Sequence, residues 1–178
     1  MRTINALTNN KFLNIKEVCH PEKNVKGYQF AERRGVDSIA FICWDRATGD
    51  YLVNREYKPP VDEFICSAFG GSLDKNVDQM KIVIGEVREE AGFEVTDKDV
   101  IFVGKAFVST QMNQYCWLYF VMVDKKSQLE LKPENAVEAM AKPVWMWRSE
   151  IIKLDDWKAV TILTKAENMG IIGYGQSS

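Results

Sequence analysis

Apolar and polar side chains alternate along residues 12–19, and again over 27–32 after the turn-like Pro21-Glu22-Lys23-Asn24. This period of two predicts the strands of a small N-terminal sheet. Residues 36–44 form a denser apolar run, suited to a central strand buried on both faces. A loop containing Gly49 follows, and residues 51–57 resume as a strand, so the two runs are expected as a hairpin that Pro59 and Pro60 end. Residues 64–69 read as a short strand delivering Gly70 and Gly71, whose conformational freedom allows a tight turn. The period then changes. Val77, Met80, Ile84, Val87 and Ala91 fall at steps of three and four, which predicts an α-helix with one apolar face against a sheet, ended by Gly92 as a C′ glycine. Strands are expected again over 100–107 and 115–123, joined by a polar loop at 109–114. Residues 125–141 are charged and loop-like around Pro133, a strand follows at 144–147, and a last helix spans 154–169 with Trp157, Val160, Ile162, Leu163 and Ala166 on its apolar side. From Gly170 onward the chain is expected to fray.

The 178 residues show no internal repeat, low-complexity tract or linker, and a hydrophobic content of 46% is enough for one domain with a real core. Mixed strands and helices make the fold class α+β (mixed α/β). Residues 1–34 are taken as N-terminal strands of the same unit, 35–170 as the main domain and 171–178 as a flexible tail. The net charge of -2, with Lys and Arg spread throughout, leaves no basic stripe for nucleic acid. A small-molecule partner is expected instead. Cys19, Cys43, Cys66 and Cys116 have neither zinc-site nor disulfide spacing, which fits a reducing cytoplasm. No apolar run is long enough to span a bilayer and the N-terminus lacks a signal-peptide core, so a soluble protein with no membrane role is expected. His20 is the single histidine, in a turn beside Pro21, so acid and base chemistry falls mainly to carboxylates.

Glu86, Glu89 and Glu90 sit at i, i+3 and i+4, so their carboxylates converge within about one helical turn. A solvated acidic face accounts for such a pattern. A hard divalent cation such as Mg²⁺, completed by water and substrate phosphate, accounts for it too. The wider spacing favours the second. Gly71, Glu86, Val87, Glu89, Glu90, Gly92 and Phe93 match the signature of the Nudix hydrolases: a glycine, five residues, Glu, seven residues, Arg-Glu, an apolar residue, one residue, Glu-Glu, one residue, Gly and an apolar residue. Two positions depart from it. Val77 stands where the family has its first Glu, and Gly85 where it has an Arg that orients the following catalytic Glu. Arg88 lies on a different face.

Outside this box the chain resembles the ADP-ribose and nucleoside-diphosphate-sugar pyrophosphatases. The order Glu32-Arg33-Arg34, apolar strand, Arg55-Glu56-Tyr57-Lys58-Pro59, short strand, glycine pair and helix carries the likeness, with Lys158-Ala159-Val160-Thr161 on the last helix. In those enzymes the position of Lys58 is commonly Arg and touches phosphate, and a Glu-x-Pro precedes the glycines, where this chain has Ser67-Ala68-Phe69. The resemblance implies an α/β/α sandwich with a mixed sheet and a small N-terminal antiparallel sheet. It also implies metal-dependent hydrolysis of the pyrophosphate bond of a nucleotide-sugar such as ADP-ribose. Metal ligands would be Glu86, Glu89 and Glu90, with Mg²⁺ or Mn²⁺ as cofactor. Substrate contacts would come from Arg33, Arg34, Arg55, Lys58, Gly71 and Gln111. The catalytic acids would be Glu86 and Glu90, joined by Glu134 or Glu138 in the loop after the box. A homodimer built partly from the N-terminal strands is implied as well. The alternative is a degenerate domain that binds a nucleotide-sugar without cutting it, as a sensor or interaction module.

Overall fold

A computed structural model describes residues 1–33, 37–73, 78–131 and 140–173. Strands β1 (Thr3–Ala6), β2 (Leu13–His20) and β3 (Val25–Arg33) form a small antiparallel sheet in the order β1-β2-β3. The main sheet comprises β4 (Ser38–Asp45), β5 (Tyr51–Lys58), β6 (Glu63–Ser67), β7 (Phe69–Ser72), β8 (Val100–Phe107), β9 (Tyr115–Val123) and β10 (Lys142–Met146). Its order is β10-β5-β4-β9-β8, with β6 paired to β5 and β7 to β4. β4 and β9 run parallel and the other pairs antiparallel, so the sheet is mixed.

Helix α1 (Gln79–Glu86) and helix α3 (Trp157–Asn168) cover opposite faces of this sheet, and α2 (Arg148–Ile151) is a single short turn before α3. β4 shows why. Ile39, Phe41 and Cys43 pack with Val83, Val87 and Phe93 on the α1 side, while Ala40 and Ile42 pack with Ile162, Leu163 and Ala166 on the α3 side. A strand buried on both faces has no polar alternation, which is why its sequence reads as a continuous apolar run. The α/β/α sandwich with its small N-terminal antiparallel sheet matches the expected architecture.

Several elements differ in detail. The hairpin between β4 and β5 holds for only two pairs, Cys43↔Leu52 and Trp44↔Tyr51, because β4 then takes β7 as its neighbour while β5 takes β6. The single strand expected over 64–69 is accordingly two. At the break, Ala68 N–H leaves the ladder and donates to Asp156 Oδ2 at 2.8 Å. Asp156 also caps α3 through Ala159 N–H at 3.1 Å, so one carboxylate ties the start of α3 to the segment that delivers Gly70 and Gly71. The buried stripe of α3 is Ala159, Ile162, Leu163 and Ala166, and Trp157 stands 38% exposed at the first helical position. β1 went unread in the sequence because all four of its residues are exposed and carry no burial pattern.

The chain does not fray at Gly170. With φ of 70°, Gly170 closes a Schellman motif in which its N–H reaches Glu167 O and that of Ile171 reaches Ala166 O, which turns Ile172 into the core. Residues 174–178 of the expected tail lie outside the described residues. The N-terminal sheet docks on its own chain: Ala31 N–H donates to Gln111 O at 2.7 Å and Tyr28 Oη to Thr110 O at 2.8 Å.

Candidate active site

Gly70 and Gly71 lie on β7 beneath the end of α1, and each is glycine for a different steric reason. A Cβ on Gly71 would stand 2.1 Å from Glu86 Oε1, so the Glu86 carboxylate rests directly against this backbone. A Cβ on Gly70 would stand 2.7 Å from the carbonyl oxygen of Ile39 on β4. With no side chain in the way, Gly70 N–H donates to Glu90 Oε2 at 3.3 Å. Both carboxylates are therefore seated on the glycine strand.

The helix changes pitch to present them. α1 starts at Asp78, whose side chain accepts from Met80 N–H at 3.0 Å, and gives way at Val87 to a π-helical turn, Val87–Ala91. Wider π turns recur at functional sites, where they re-aim side chains that a regular helix would stack. Here the turn keeps Val87 and Ala91 buried while Glu90 reaches back to Gly70. Gly92, at φ 78°, ends the turn, and its oxygen accepts from Leu129 N–H at 2.7 Å.

Burial and crowding make this a costly place for negative charge. The Glu90 carboxyl is pushed up to about 7, first by burial and then by Glu86; the Gly70 amide opposes the shift, Glu56 adds to it and Lys58 relieves it. Glu86 is raised as well, by burial and by Glu89. Glu89 is itself exposed. Carboxylates that resist ionisation because they face one another and are short of counter-charge form a donor set that fits a hard divalent cation. Among the described residues, no group of three or more His, Cys, Asp or Glu side chains is already gathered into a metal cage.

The sequence-derived residues separate into groups. Glu86 rests against Gly71, Glu90 accepts from the Gly70 amide, and the charges of Glu86 and of Lys58 on β5 are both felt at Glu90. Arg33, at the end of β3, reaches Ser72 Oγ at 2.8 Å, next to Gly71 in its own chain. Arg55 stacks its guanidinium 4.5 Å from the centre of the Phe64 ring, and strand alternation puts it on the face of β5 opposite Glu56 and Lys58. Gln111 is exposed, and its backbone serves as the seat of β3. Arg34, Val77, Glu134 and Glu138 lie outside the described residues. Gly85 has nothing within 4 Å of where a Cβ would be, and Arg88 pairs with Glu94 at 2.9 Å, so it is not turned to Glu86.

Glu56 was missed as a site residue, although it stands two positions before Lys58 and so shares its face of the strand. A cavity of about 460 Å³ opens elsewhere, at the end of β4 remote from β7, lined by Asp45, Arg46, Asp99 and Asp124 among others. None of the carboxylate-site residues lines it. Its acids are turned to their own loops, Asp45 accepting from Thr48 and Lys125 amides and Asp99 pairing with Arg46.

No protein-family model matches this chain, and neither does any curated protein. Among solved structures, a crystal structure described as an ADP compounds hydrolase superposes with a TM-score of 0.71 over 96% of this chain and 95% of that one, at 13% sequence identity. At that identity the likeness establishes the fold alone, an α/β/α sandwich around a mixed sheet.

Proposed function

We propose that the protein hydrolyses the pyrophosphate bond of a nucleoside diphosphate linked to another moiety, with ADP-ribose or a related ADP- or NDP-sugar as substrate. The observation that carries this reading is the seating of two half-buried, mutually repelling carboxylates, Glu86 and Glu90, on a glycine strand. Its fold likeness to a protein described as an ADP compounds hydrolase supports the substrate class.

Glu86 and Glu90, with Glu89 at the rim, would hold Mg²⁺ or Mn²⁺. Such an ion, when bound, offsets the charge of a diphosphate and lowers the pKa of coordinated water. The chain's own residues do the rest. Lys58, whose charge is felt at Glu90, and Arg33, at Ser72, bring cationic groups towards the glycine strand and would bind the diphosphate oxygens. Bare backbone at Gly70 and Gly71 lets that group approach closely. A carboxylate takes the proton of the attacking water, and Glu86, Glu90, Glu134 and Glu138 are the candidates. Water adds to one phosphorus, the bridging P–O bond breaks, and the products are nucleoside monophosphate and sugar phosphate. The assembly proposed is a cytoplasmic homodimer in which the N-terminal sheet, whose β1 is exposed along its length, packs on a second copy.

A second reading has one observation in its favour. Gly85 supplies no guanidinium to the neighbouring Glu86, as suits a domain that binds a nucleotide-sugar without cutting it. One experiment separates the two. ADP-ribose, NAD, dinucleoside polyphosphates, NDP-sugars and NTPs are incubated with the protein and Mg²⁺ or Mn²⁺, and products are resolved by mass. Cleavage at a pyrophosphate supports the hydrolase; saturable binding without products supports the binding module.

A further inference from the structure

Beside the acidic pair, β5 carries a second charged pair on the same side of the sheet. Leu52 packs in the α1-side core, and alternation places Asn54, Glu56 and Lys58 on that side after it. Lys58 Nζ is ion-paired with Glu56 Oε1, and the same oxygen accepts from Ser67 Oγ at 3.4 Å. Ser67 is 2% exposed and sits opposite Asn54 in the β5–β6 ladder, so the residue that carries this hydroxyl is held in place. Lys58 differs in kind. Its side chain is 36% exposed and has long, freely rotating methylenes, and among the described residues its ammonium is ion-paired to Glu56. Both charges are felt at Glu90.

We propose that Glu56 is a positioning residue of this site: anchored by Ser67, it holds the Lys58 ammonium beside Glu90, where a substrate diphosphate would lie. The inference rests on the reading that a diphosphate binds at these carboxylates. Exposed ion pairs contribute little, because two flexible side chains must be ordered to make them. Here one member is already fixed by a buried hydroxyl. The pair's use is pre-organisation: a lysine held in place loses less freedom when an anion arrives. An opposite effect is physically available, since the Glu56 charge also repels a phosphate, and the two have opposite signs in a binding measurement.

The test measures ADP binding by calorimetry, with Mg²⁺ present, for the full chain and for Lys58→Ala, Glu56→Ala, Glu56→Gln and the double alanine variant. Lys58→Ala is expected to weaken binding about tenfold, the scale of one charge-assisted hydrogen bond. Glu56→Ala should match it, the double variant should be no weaker than either single one, and Glu56→Gln, which keeps an oxygen for both donors, should fall between. In turnover the loss should appear in KM and spare kcat. In spectra of ¹³C-labelled lysine, the Lys58 signal should be that of a restrained side chain and should collapse to a solvent-like one in Glu56→Ala. Unchanged or tighter ADP binding in Glu56→Ala, or losses that multiply in the double variant, would overturn the proposal. A wild-type chain that binds no ADP overturns the diphosphate reading, whereas a Lys58 signal indifferent to Glu56→Ala overturns the positioning role whatever ADP does.

Discussion

Replacing Gly71 by alanine should remove activity while leaving the fold standing, and replacing Gly70 should do the reverse of the second part. The added methyl at position 71 would meet Glu86 Oε1 at 2.1 Å, whereas ordinary contacts lie at 3.4 Å and beyond. The carboxylate must therefore retreat by roughly 1 Å. It can do so, because the obstructing atom is the free end of a side chain, and the stability cost should stay below about 1 kcal/mol. Catalysis is less forgiving: a misplacement of about 1 Å in a reacting group costs on the order of 10²-fold in rate. At position 70 the methyl instead meets the backbone oxygen of Ile39 at 2.7 Å, in the middle of a strand pair that cannot give. Overpacking of that kind costs roughly 1–3 kcal/mol. Urea unfolding of both variants, alongside turnover of the best substrate with Mg²⁺, measures the two effects separately. A Gly71→Ala protein that keeps wild-type turnover, or one that loses as much stability as Gly70→Ala, refutes this account of the glycine strand.

Glu90 gives a dependence on pH. Its folded pKa of about 7 lies above the ordinary glutamate value of 4.5, so between those pH values the folded state binds the extra proton and stability falls as pH rises, by at most about 3 kcal/mol. Denaturant unfolding in EDTA should show this decline, and it should disappear in Glu90→Gln or on adding Mg²⁺; a slope identical in both proteins contradicts it. Gly85→Arg enters open space and should raise turnover by placing a cation beside Glu86; a folded variant that is no faster means another group already orients that carboxylate. Light scattering at micromolar concentration should give the mass of a dimer, and a monomeric mass rejects that assembly.

The strands with one buried and one exposed face, or with both faces buried, were legible because burial writes itself into the apolar pattern. β8 and β9 fall where the pattern puts them, at residues 100–107 and 115–123. What escaped was decided by partners distant in sequence. Nothing local to residues 64–69 says that the chain will change neighbours at Ala68, since the acceptor that draws its amide away is Asp156, far along the chain. The same holds at the site. Glu86, Glu90 and Gly71 could be read together because a helix and a fixed spacing bring them together. Glu56 could not be read that way, because its place near Glu90 comes from β5 pairing with β6, the strand that leads into the glycine strand. Arg55 shows the complementary error. Its charge and its neighbourhood in sequence suggested phosphate, but a strand turns successive side chains to opposite faces, and its guanidinium covers Phe64 instead.

The central claim is that Glu90 belongs to a working pyrophosphohydrolase site. Its most direct test compares the wild type and Glu90→Gln on ADP-ribose with Mg²⁺, with products resolved by mass and the fold of both proteins checked by circular dichroism. The wild type should release AMP and ribose 5-phosphate, and the variant should do so at least about 10²-fold more slowly with its fold intact. Equal turnover by the two folded proteins would contradict the assignment of the site, and binding by the wild type without any product would contradict the hydrolase.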